Sequence, residues 1–456
     1  MNSKTSLLFL IAALTTLVLG VFFGLFASLQ YIIPDFFKDY LPFNKMRPFH
    51  VTTVVSWIIL CATGSIYFFI NKVEHLKLFS YKLQKTHLLI FILTGIGIYI
   101  SFFSGKMEGR EYLAYTPFLT IPILIGWILF GVNYFKTIRK QVKNWPVYYW
   151  MWGTGIVFMT YHLCEAHFWL IPSFREHFIM DISVQWKSYG SFVGSWNMLV
   201  YGIAIYLMSK IKNDSSLAFG KKTFFFYFLG LTNLMFGWAH HTYIIPMQPW
   251  IRYVAYGISM TEWILLIHII YSWKQSLSKQ KREEFSLAYK FLMTADFWVF
   301  LNLVLALLFS IPAINFFTHG THITVAHSMG TTIGINTSIL FASLFFIVSK
   351  LKLKERLHFI SVKRSVISYN IALLLFWITL LIAGAKRSHW MYFTKDIPFT
   401  QMQDSLYYVY IAFFVFGVVL VASILLLAIP LLKIFLKTIK PNRVTKNSQI
   451  DNLKRS

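Results

Sequence analysis

Gly237-Trp238-Ala239-His240-His241 ends one long apolar segment of the chain, and Thr318-His319-Gly320-Thr321-His322-Ile323-Thr324-Val325-Ala326-His327 opens another. Histidines inside a bilayer are costly and usually functional. Adjacent histidines on a regular helix point about 100° apart, so His240 and His241 can bind one metal only at a distorted helix end. Pro246 and Pro249 prevent a regular continuation. The two stretches therefore predict a buried site for a metal and haem.

The composition indicates a membrane protein. Of the 456 residues, 57% are hydrophobic and only 13% are charged, and the mean hydropathy is +0.60. A soluble domain has roughly twice that charged fraction. Apolar stretches of about eighteen or more residues recur from end to end, which predicts a polytopic protein. The first stretch, 5–33, is too long for a signal peptide core and predicts a retained first span.

We predict an all-α membrane protein with twelve transmembrane helices in a single polytopic domain, residues 1–456. The spans are 5–33, 47–71, 84–105, 115–138, 145–171, 185–211, 221–245, 249–273, 286–314, 318–349, 365–385 and 404–436. A basic tail, about residues 437–456, follows the last span. No repeat or soluble domain interrupts this pattern.

The net charge of +25 could indicate nucleic-acid binding, but its distribution favours a membrane explanation. Basic connectors recur on one side, at 72–85, 136–143, 210–222, 274–290 and 350–364. This positive-inside bias predicts that both termini are cytoplasmic and that the tail contacts anionic lipid. No nucleic-acid partner is expected. The two cysteines cannot form a Cys-x-x-Cys-His haem attachment, so electrons from such a centre must come from another polypeptide.

The predicted topology places several histidines at one depth. His50 lies about one turn below the outer surface in the second span, and His240 and His241 lie at the outer end of the seventh. His327 lies roughly 13 Å into the tenth span, at 1.5 Å per residue. At the outer end of the fifth span are His162, Glu165 and His167. One such histidine could simply be hydrogen-bonded, whereas agreement among four spans favours a shared site.

At these residues the chain resembles the catalytic subunit I of the haem-copper oxidase superfamily, most of all the nitric oxide reductase large subunit and the C-type oxygen reductases. The resemblance implies a low-spin haem b on His50 and a high-spin haem b on His327. It implies a non-haem iron, or copper, on His240 and His241. A glutamate that lies near this metal in the reductases corresponds to Glu262, which we expect to be catalytic.

Two departures from the family pattern affect the predicted site. Met329 stands where the family has a second ligand of the low-spin haem. Methionine can ligate haem, so ligation and ordinary packing both stay open. Gly190 stands where the family has a third histidine for the non-haem metal. Either His162, Glu165 or His167 completes the metal shell, or the site has been remodelled. A buried carboxylate without a partner would be very costly, so Glu165 is expected to have a polar or metal role. It is also the second expected catalytic residue, as a proton relay with Glu262.

The predicted function depends on a tyrosine that oxygen reductases of the superfamily use near the metal centre. In the C-type enzymes it lies six residues before the histidine pair, where this chain has Leu234. Tyr189 is not at the offset that other members use. This loss favours reduction of nitric oxide to nitrous oxide over reduction of oxygen.

We therefore expect an oxidoreductase of the bacterial cytoplasmic membrane, with a cytochrome c-type subunit or a soluble cytochrome as electron donor and NO or O₂ as gas substrate. Glu262 and Glu165 would relay protons from the outer side. Asp296 could serve an inner route or be a structural carboxylate. A terminal oxygen reductase and a non-catalytic haem-binding membrane protein or sensor are the alternatives.

Overall fold

The computed structural model describes residues 3–241, 243, 246–353 and 359–439, and these ranges are almost entirely helices and their connections. The long helices are α1 (Lys4–Leu29), α2 (Phe43–Val73), α3 (Tyr81–Phe103), α4 (Pro117–Gln141), α5 (Val147–Glu165), α6 (Phe178–Lys212), α7 (Lys221–Phe236), α8 (Pro249–Ser276), α9 (Ser286–Ser310), α10 (His322–Lys350), α11 (Phe359–Phe393) and α12 (Tyr407–Ile439). Short helices lie at Pro172–Arg175, Ser216–Phe219, Lys279–Glu284, Pro312–Thr318 and Phe399–Asp404.

Within the described ranges, nine helices are long and apolar enough to cross a membrane. They are α1 to α4, α6 and α9 to α12, and they confirm the prediction of an all-helical integral membrane protein. Helices α5, α7 and α8 lie where further spans are predicted but are not among the nine, and α7 has only 16 residues. The number of twelve spans therefore stays a prediction. Residues 440–456, most of the predicted basic tail, lie outside the described residues.

In the described part of the chain, three helices contain a π-helical turn, at Phe69–Val73 in α2, Val184–Ser188 in α6 and Gly330–Thr337 in α10. A π turn widens the helix and redirects the side chains around it, and such turns are frequent at functional sites. The turn in α6 ends two residues before Gly190, and the turn in α10 begins directly after Met329. Both departures from the family pattern therefore adjoin irregular helix.

Helices α2 and α10 form the centre of the bundle, since 83% of the most apolar part of each is buried. They are joined by hydrogen bonds between side chains. The buried indole of Trp57 donates to the Thr337 hydroxyl at 3.1 Å, and Ser343 donates to Ser65 at 2.8 Å. Interhelical hydrogen bonds of this kind fix helix positions in lipid, where helix association gains little from the hydrophobic effect.

Candidate haem and metal centre

His50 is fixed between α1 and α2. Its Nδ1 donates to the Gly20 carbonyl at 2.8 Å, because a carbonyl oxygen can only accept. The ring lies so close to Gly24 that a Cβ there would come within 2.7 Å of Cε1 and Nδ1. The steric contact with Gly24 holds the ring in place, and the hydrogen bond to Gly20 fixes the tautomer. Nε2 is then the nitrogen with a lone pair. A backbone carbonyl on the opposite nitrogen is the usual support of a metal-binding histidine.

The histidine pair lies in an irregular helix end, as the prolines after it predict. Helix α7 ends at Phe236, and a 3₁₀ turn, Gly237–His241, continues it. The His240 carbonyl accepts from the amide of Asn315 at 2.7 Å, and the same amide nitrogen lies 3.0 Å from the Phe309 carbonyl. Asn315 therefore attaches the turn to the segment after α9. The side chain of His241 lies outside the described part of the structure, as does that of Glu262.

The structure brings His240 and His327 together. His327 and His319 both lie close enough to His240 for their charges to interact with it. His327 packs edge-on against Phe309, with the ring centroids 5.6 Å apart. Its Nδ1 is buried and makes no hydrogen bond of normal geometry to a described residue, while the backbone of Asn302 lies close enough to the ring to interact with it. A buried polar atom normally has a partner, so this nitrogen is suited to a ligand that the protein itself does not supply.

Met329 lies two residues after His327, at the end of the first regular segment of α10. Its side chain is partly buried and packs against the main apolar core. This position is compatible with haem ligation and with ordinary packing, so both interpretations stay open.

His162, Glu165 and Lys187 form a charged cluster between α5 and α6. The Glu165 carboxylate accepts from His162 Nδ1 at 2.8 Å, and its other oxygen forms an ion pair with Lys187. The exposed fractions are 2% for His162, 12% for Glu165 and 26% for Lys187. The lysine, which sequence reasoning missed, is thus the partner that a buried carboxylate needs. Lys187 is the only cation in the 184–194 stretch, but its position in the sequence does not show that it pairs with Glu165.

Within this cluster, Nε2 of His162 is buried and has no partner in the described part of the chain. Metal-binding histidines commonly have this arrangement: one imidazole nitrogen donates to a carboxylate, and the other nitrogen is left to bind the metal.

His167, just after α5, uses both ring nitrogens for hydrogen bonds. Nδ1 donates to the Leu163 carbonyl at 2.8 Å, so Nε2 accepts from the Thr120 hydroxyl at 2.9 Å. In the neutral ring with this tautomer Nε2 accepts, whereas in a protonated ring Nε2 would donate to the Thr120 oxygen; in both cases the two contacts use both nitrogens. The contacts join the end of α5 to α4 and leave no lone pair for a metal. In this structure both nitrogens of His167 are therefore engaged by the protein, and its ligand role stays a prediction.

Gly190 faces the turn that bears the histidine pair. A Cβ at this position would lie 2.6 Å from the Cβ and 3.2 Å from the Cα of Trp238. A histidine cannot occupy this position unless the turn moves away from α6. Close packing of α6 on this turn thus replaces the third histidine of the family. In the described residues there is no group of three or more His, Cys, Asp or Glu that could hold a metal.

Leu234, at the position of the C-type tyrosine, is also part of this packing. The side chain is only 3% exposed. A Cβ on Gly194 would lie 3.1 Å from the Leu234 Cα, and the Ser191 hydroxyl donates to the Leu234 carbonyl at 2.8 Å. Helices α6 and α7 are therefore in close contact at the point where the related enzymes have a phenol.

His319 is a further residue whose place sequence reasoning did not assign. It lies near His240 and packs against Trp186, with the ring centroids 5.4 Å apart. The sequence feature that could have pointed to His319 is the Thr318-His319-Gly320-Thr321 motif, which resembles the reductase sequence.

The residues fit haem better than they fit a complete non-haem metal site. Imidazole is the usual axial ligand of b-type haem. His50 has a supported ring with Nε2 free, and His327 is buried beside the Asn302 backbone with no hydrogen bond of normal geometry on Nδ1. For the second metal, the described side chains supply His240 and no complete ligand set.

Comparison with known proteins assigns the chain to a family. The model of the family described as cytochrome c and quinol oxidase polypeptide I matches residues 4–431. A nitric oxide reductase subunit of Stutzerimonas stutzeri is 22% identical over 368 residues, which are 75% of this chain and 75% of that protein. A cytochrome c oxidase subunit 1 homolog of Agrobacterium tumefaciens (strain T37) is 22% identical over 369 residues, 75% of this chain and 65% of that protein.

The fold agrees with this assignment. A heme-copper terminal oxidase dimer solved by cryo-EM contains a chain that matches 95% of this chain with a TM-score of 0.72, at 13% identity and over 84% of its own length. The prediction of a haem-copper oxidase subunit I is thereby confirmed. The chain belongs to the cytochrome c and quinol oxidase polypeptide I family, whose members are integral membrane oxidoreductases that bind haem and a metal centre.

Proposed function

We propose that this protein reduces nitric oxide to nitrous oxide in a bacterial cytoplasmic membrane, with electrons from a cytochrome c-type donor on the outer side. The observation that supports the proposal most strongly is the presence of Leu234 at the position of the C-type tyrosine. An apolar side chain packed against α6 stands where a C-type oxygen reductase has the tyrosine that helps to cleave the O–O bond. Coupling two NO molecules needs two electrons and two protons and no phenol. The similarity to a nitric oxide reductase subunit supports this choice.

In this proposal His50 ligates the low-spin haem b and His327 the high-spin haem b, and Met329 is the second ligand of the low-spin haem. His240 and His241 bind the non-haem iron or copper. When bound, these groups supply the electrons and the coordination sites for the gas. The protein contributes orientation: Gly20 and Gly24 hold the His50 ring, and Asn315 holds the turn that bears the pair.

The protons would come from the outer side through Glu262 and Glu165. Glu165 is suited to this role because its two oxygens contact an imidazole and an ammonium group. These contacts keep a carboxylate charged inside a largely apolar setting and connect it to a second titratable group. The His162 ring, oriented by Glu165, would hold a proton on Nδ1 and present Nε2 to the interior.

The proposal also includes twelve spans and two cytoplasmic termini. The support is the distribution of Lys and Arg along the connectors. Helices α5, α7 and α8 lie where three of these spans are predicted.

A terminal oxygen reductase is the second candidate, favoured by the similarity to a cytochrome c oxidase subunit 1 homolog. A non-catalytic haem-binding membrane protein or sensor is the third, favoured by the contact between Gly190 and Trp238, which fills the place of a metal ligand.

Gas consumption by the purified protein separates the three candidates. Reduced cytochrome c is supplied, and NO uptake under anaerobic conditions is compared with O₂ uptake, alongside the haem and metal content per chain. We expect NO consumption in excess of O₂ consumption, with two haems and one non-haem metal. Faster O₂ than NO consumption would establish the second candidate. Two haems without a second metal and without gas consumption would establish the third.

A further inference from the structure

The π-helical turn of α10, Gly330–Thr337, separates an outer and an inner part of that helix. The outer part bears His327 and Met329, and the inner part, Ser338–Lys350, is buried in the centre of the bundle. A turn that bonds i→i+5 rather than i→i+4 accommodates one more residue, and each residue of an α-helix accounts for about 100° of rotation. Closing the turn would therefore rotate His327 and Met329 by about that angle relative to the inner part.

The Tyr369 hydroxyl of α11 binds the backbone of this turn. It donates to the Ile333 carbonyl at 2.6 Å, and the tyrosine side chain is fully buried. If the π turn continued, the Ser338 N–H would bond to Ile333, five residues earlier, but it bonds to the Ile335 carbonyl instead. The phenol takes the place of that backbone donor. Because an unbonded carbonyl in an apolar interior is costly, this hydrogen bond stabilises the turn in its wide form.

A second set of bonds connects the turn to α2, the helix of His50. The Trp57 indole donates to the Thr337 hydroxyl at 3.1 Å, and this hydroxyl donates to the Thr332 carbonyl at 2.8 Å. Trp57 follows His50 by seven residues, which is close to two full turns, so both side chains lie on the same face of α2. The face of α2 that bears His50 is thus bonded to the turn that separates the two parts of α10.

Helix α9 packs against the backbone of the turn. A Cβ at Gly334 would lie 2.5 Å from Cγ of Trp298, and a Cβ at Gly330 would lie 2.4 Å from Oδ1 of Asn302. The Asn302 amide also donates to the Thr331 hydroxyl at 2.8 Å. Contact with α9 thus restrains the turn, while side chains of α2 and α11 bind its hydroxyl and carbonyl groups.

From these contacts we propose that Tyr369 is a positioning residue for the haem ligands of α10. Its hydroxyl keeps the π turn open, and the open turn sets the direction of His327 and Met329. Trp57 acts on the same turn from α2, through Thr337. The inference rests on the proposed ligation of haem by His327 and Met329, and it adds a residue of α11, a helix that bears none of the proposed ligands.

The first test measures the turn itself, by hydrogen exchange of the full-length protein. Tyr369→Phe removes the hydroxyl and keeps the ring. Tyr134→Phe is the matched control, because the buried Tyr134 hydroxyl of α4 also donates to a backbone carbonyl at 2.6 Å, that of Tyr149 in α5. We expect both variants to lower the midpoint of thermal unfolding to a similar extent, but only Tyr369→Phe to exchange faster in the peptide 330–338. Equal exchange of that peptide in Tyr369→Phe and the wild type overturns the proposal.

The second test determines whether the turn controls the haems. Reduced-minus-oxidised spectra and redox titrations are recorded per mole of folded protein for the wild type, Tyr369→Phe, Thr337→Val and Tyr134→Phe. Thr337→Val removes the hydroxyl that Trp57 binds and preserves the shape of the side chain. We expect Tyr369→Phe and Thr337→Val to shift the haem absorption bands and reduction potentials, and Tyr134→Phe to equal the wild type.

A third variant separates the two contacts of the Tyr369 phenol, whose oxygen also lies 3.3 Å from the Ser338 hydroxyl. Ser338→Ala removes this longer contact and leaves the bond to Ile333, so we expect exchange and potentials close to those of the wild type. Shifts in Ser338→Ala as large as those in Tyr369→Phe overturn the assignment to the Ile333 carbonyl.

Failure of the inference and failure of the proposed function give different results. Haem-containing Tyr369→Phe and Thr337→Val proteins with the bands and potentials of the wild type contradict the positioning role alone and leave the proposed ligation intact. A wild-type protein that binds no haem contradicts the proposed function, and the positioning role falls with it.

Discussion

A methyl group at Gly24 tests whether the α1–α2 contact positions a haem ligand. In Gly24→Ala the new Cβ would lie 2.7 Å from Cε1 and Nδ1 of His50, well inside van der Waals contact, so the ring must turn or α1 must move. Overpacking of this kind costs about 1–3 kcal/mol. Turning the ring also breaks the 2.8 Å bond from Nδ1 to the Gly20 carbonyl, which contributes about 1 kcal/mol. Loss of such a supporting bond typically lowers metal affinity by about 10- to 100-fold.

The same helix pair offers a matched control. A Cβ at Gly64 of α2 would lie 2.7 Å from Cδ2 of Leu10 and 2.8 Å from Cβ of Phe9. Gly64→Ala therefore crowds the α1–α2 interface to the same degree, but far along α2 from His50. We expect both variants to lower the midpoint of thermal unfolding in detergent by a similar amount.

The two variants should differ in the reduced-minus-oxidised optical spectrum. Gly24→Ala should lose or shift the low-spin haem signal, whereas Gly64→Ala should keep it. The comparison is made per mole of folded protein, so that a general loss of stability does not imitate the effect. Equal low-spin signals in the two variants would refute the reasoning that His50 holds a haem through this contact.

Three further changes test the neighbouring clusters. Lys187→Met should destabilise the protein by about 3 kcal/mol, because the charge on Glu165 would be left buried and unpaired. Adding Glu165→Gln should recover most of this loss of stability in thermal unfolding. If the effects of the two substitutions were simply additive, the ion pair would be contradicted. His167→Gln should leave the haem and metal content unchanged and cost about 1–2 kcal/mol from two lost hydrogen bonds, whereas a loss of metal in elemental analysis would restore its predicted ligand role. Gly190→His should cost about 1–3 kcal/mol through its clash with Trp238 without raising the metal content; a gain of one metal per chain would show that the turn can move.

The helical membrane fold could be predicted from the sequence because the length of each apolar segment is visible in the sequence itself. The distorted end that bears the histidine pair was also predictable, since Pro246 and Pro249 exclude a regular helix there, and the 3₁₀ turn at Gly237–His241 agrees. The hydrophobic periodicity of the sequence could not predict the π turns of α6 and α10. A single wider turn barely changes that periodicity, and whether it forms depends on packing against neighbouring helices.

The side-chain partners of the site were less predictable because they depend on contacts between distant segments. Glu165 was expected to need a polar or metal partner, yet nothing in the order of residues pairs it with Lys187, 22 positions later. His167 lies close enough to Glu165 in the chain to share a metal with it, but Thr120 and Leu163 bind its two nitrogens. The absence of a histidine at Gly190 was visible in the sequence, whereas its cause, contact with Trp238, required the packing of α6 on the turn.

The assignment of His327 is tested most directly by the optical spectrum and haem content of His327→Ala. If imidazoles from separate helices bind two haems, the wild type contains two haems b, and His327→Ala loses the high-spin signal and keeps the low-spin one. A variant whose two signals equal those of the wild type, or a wild-type protein that binds no haem, would contradict the account.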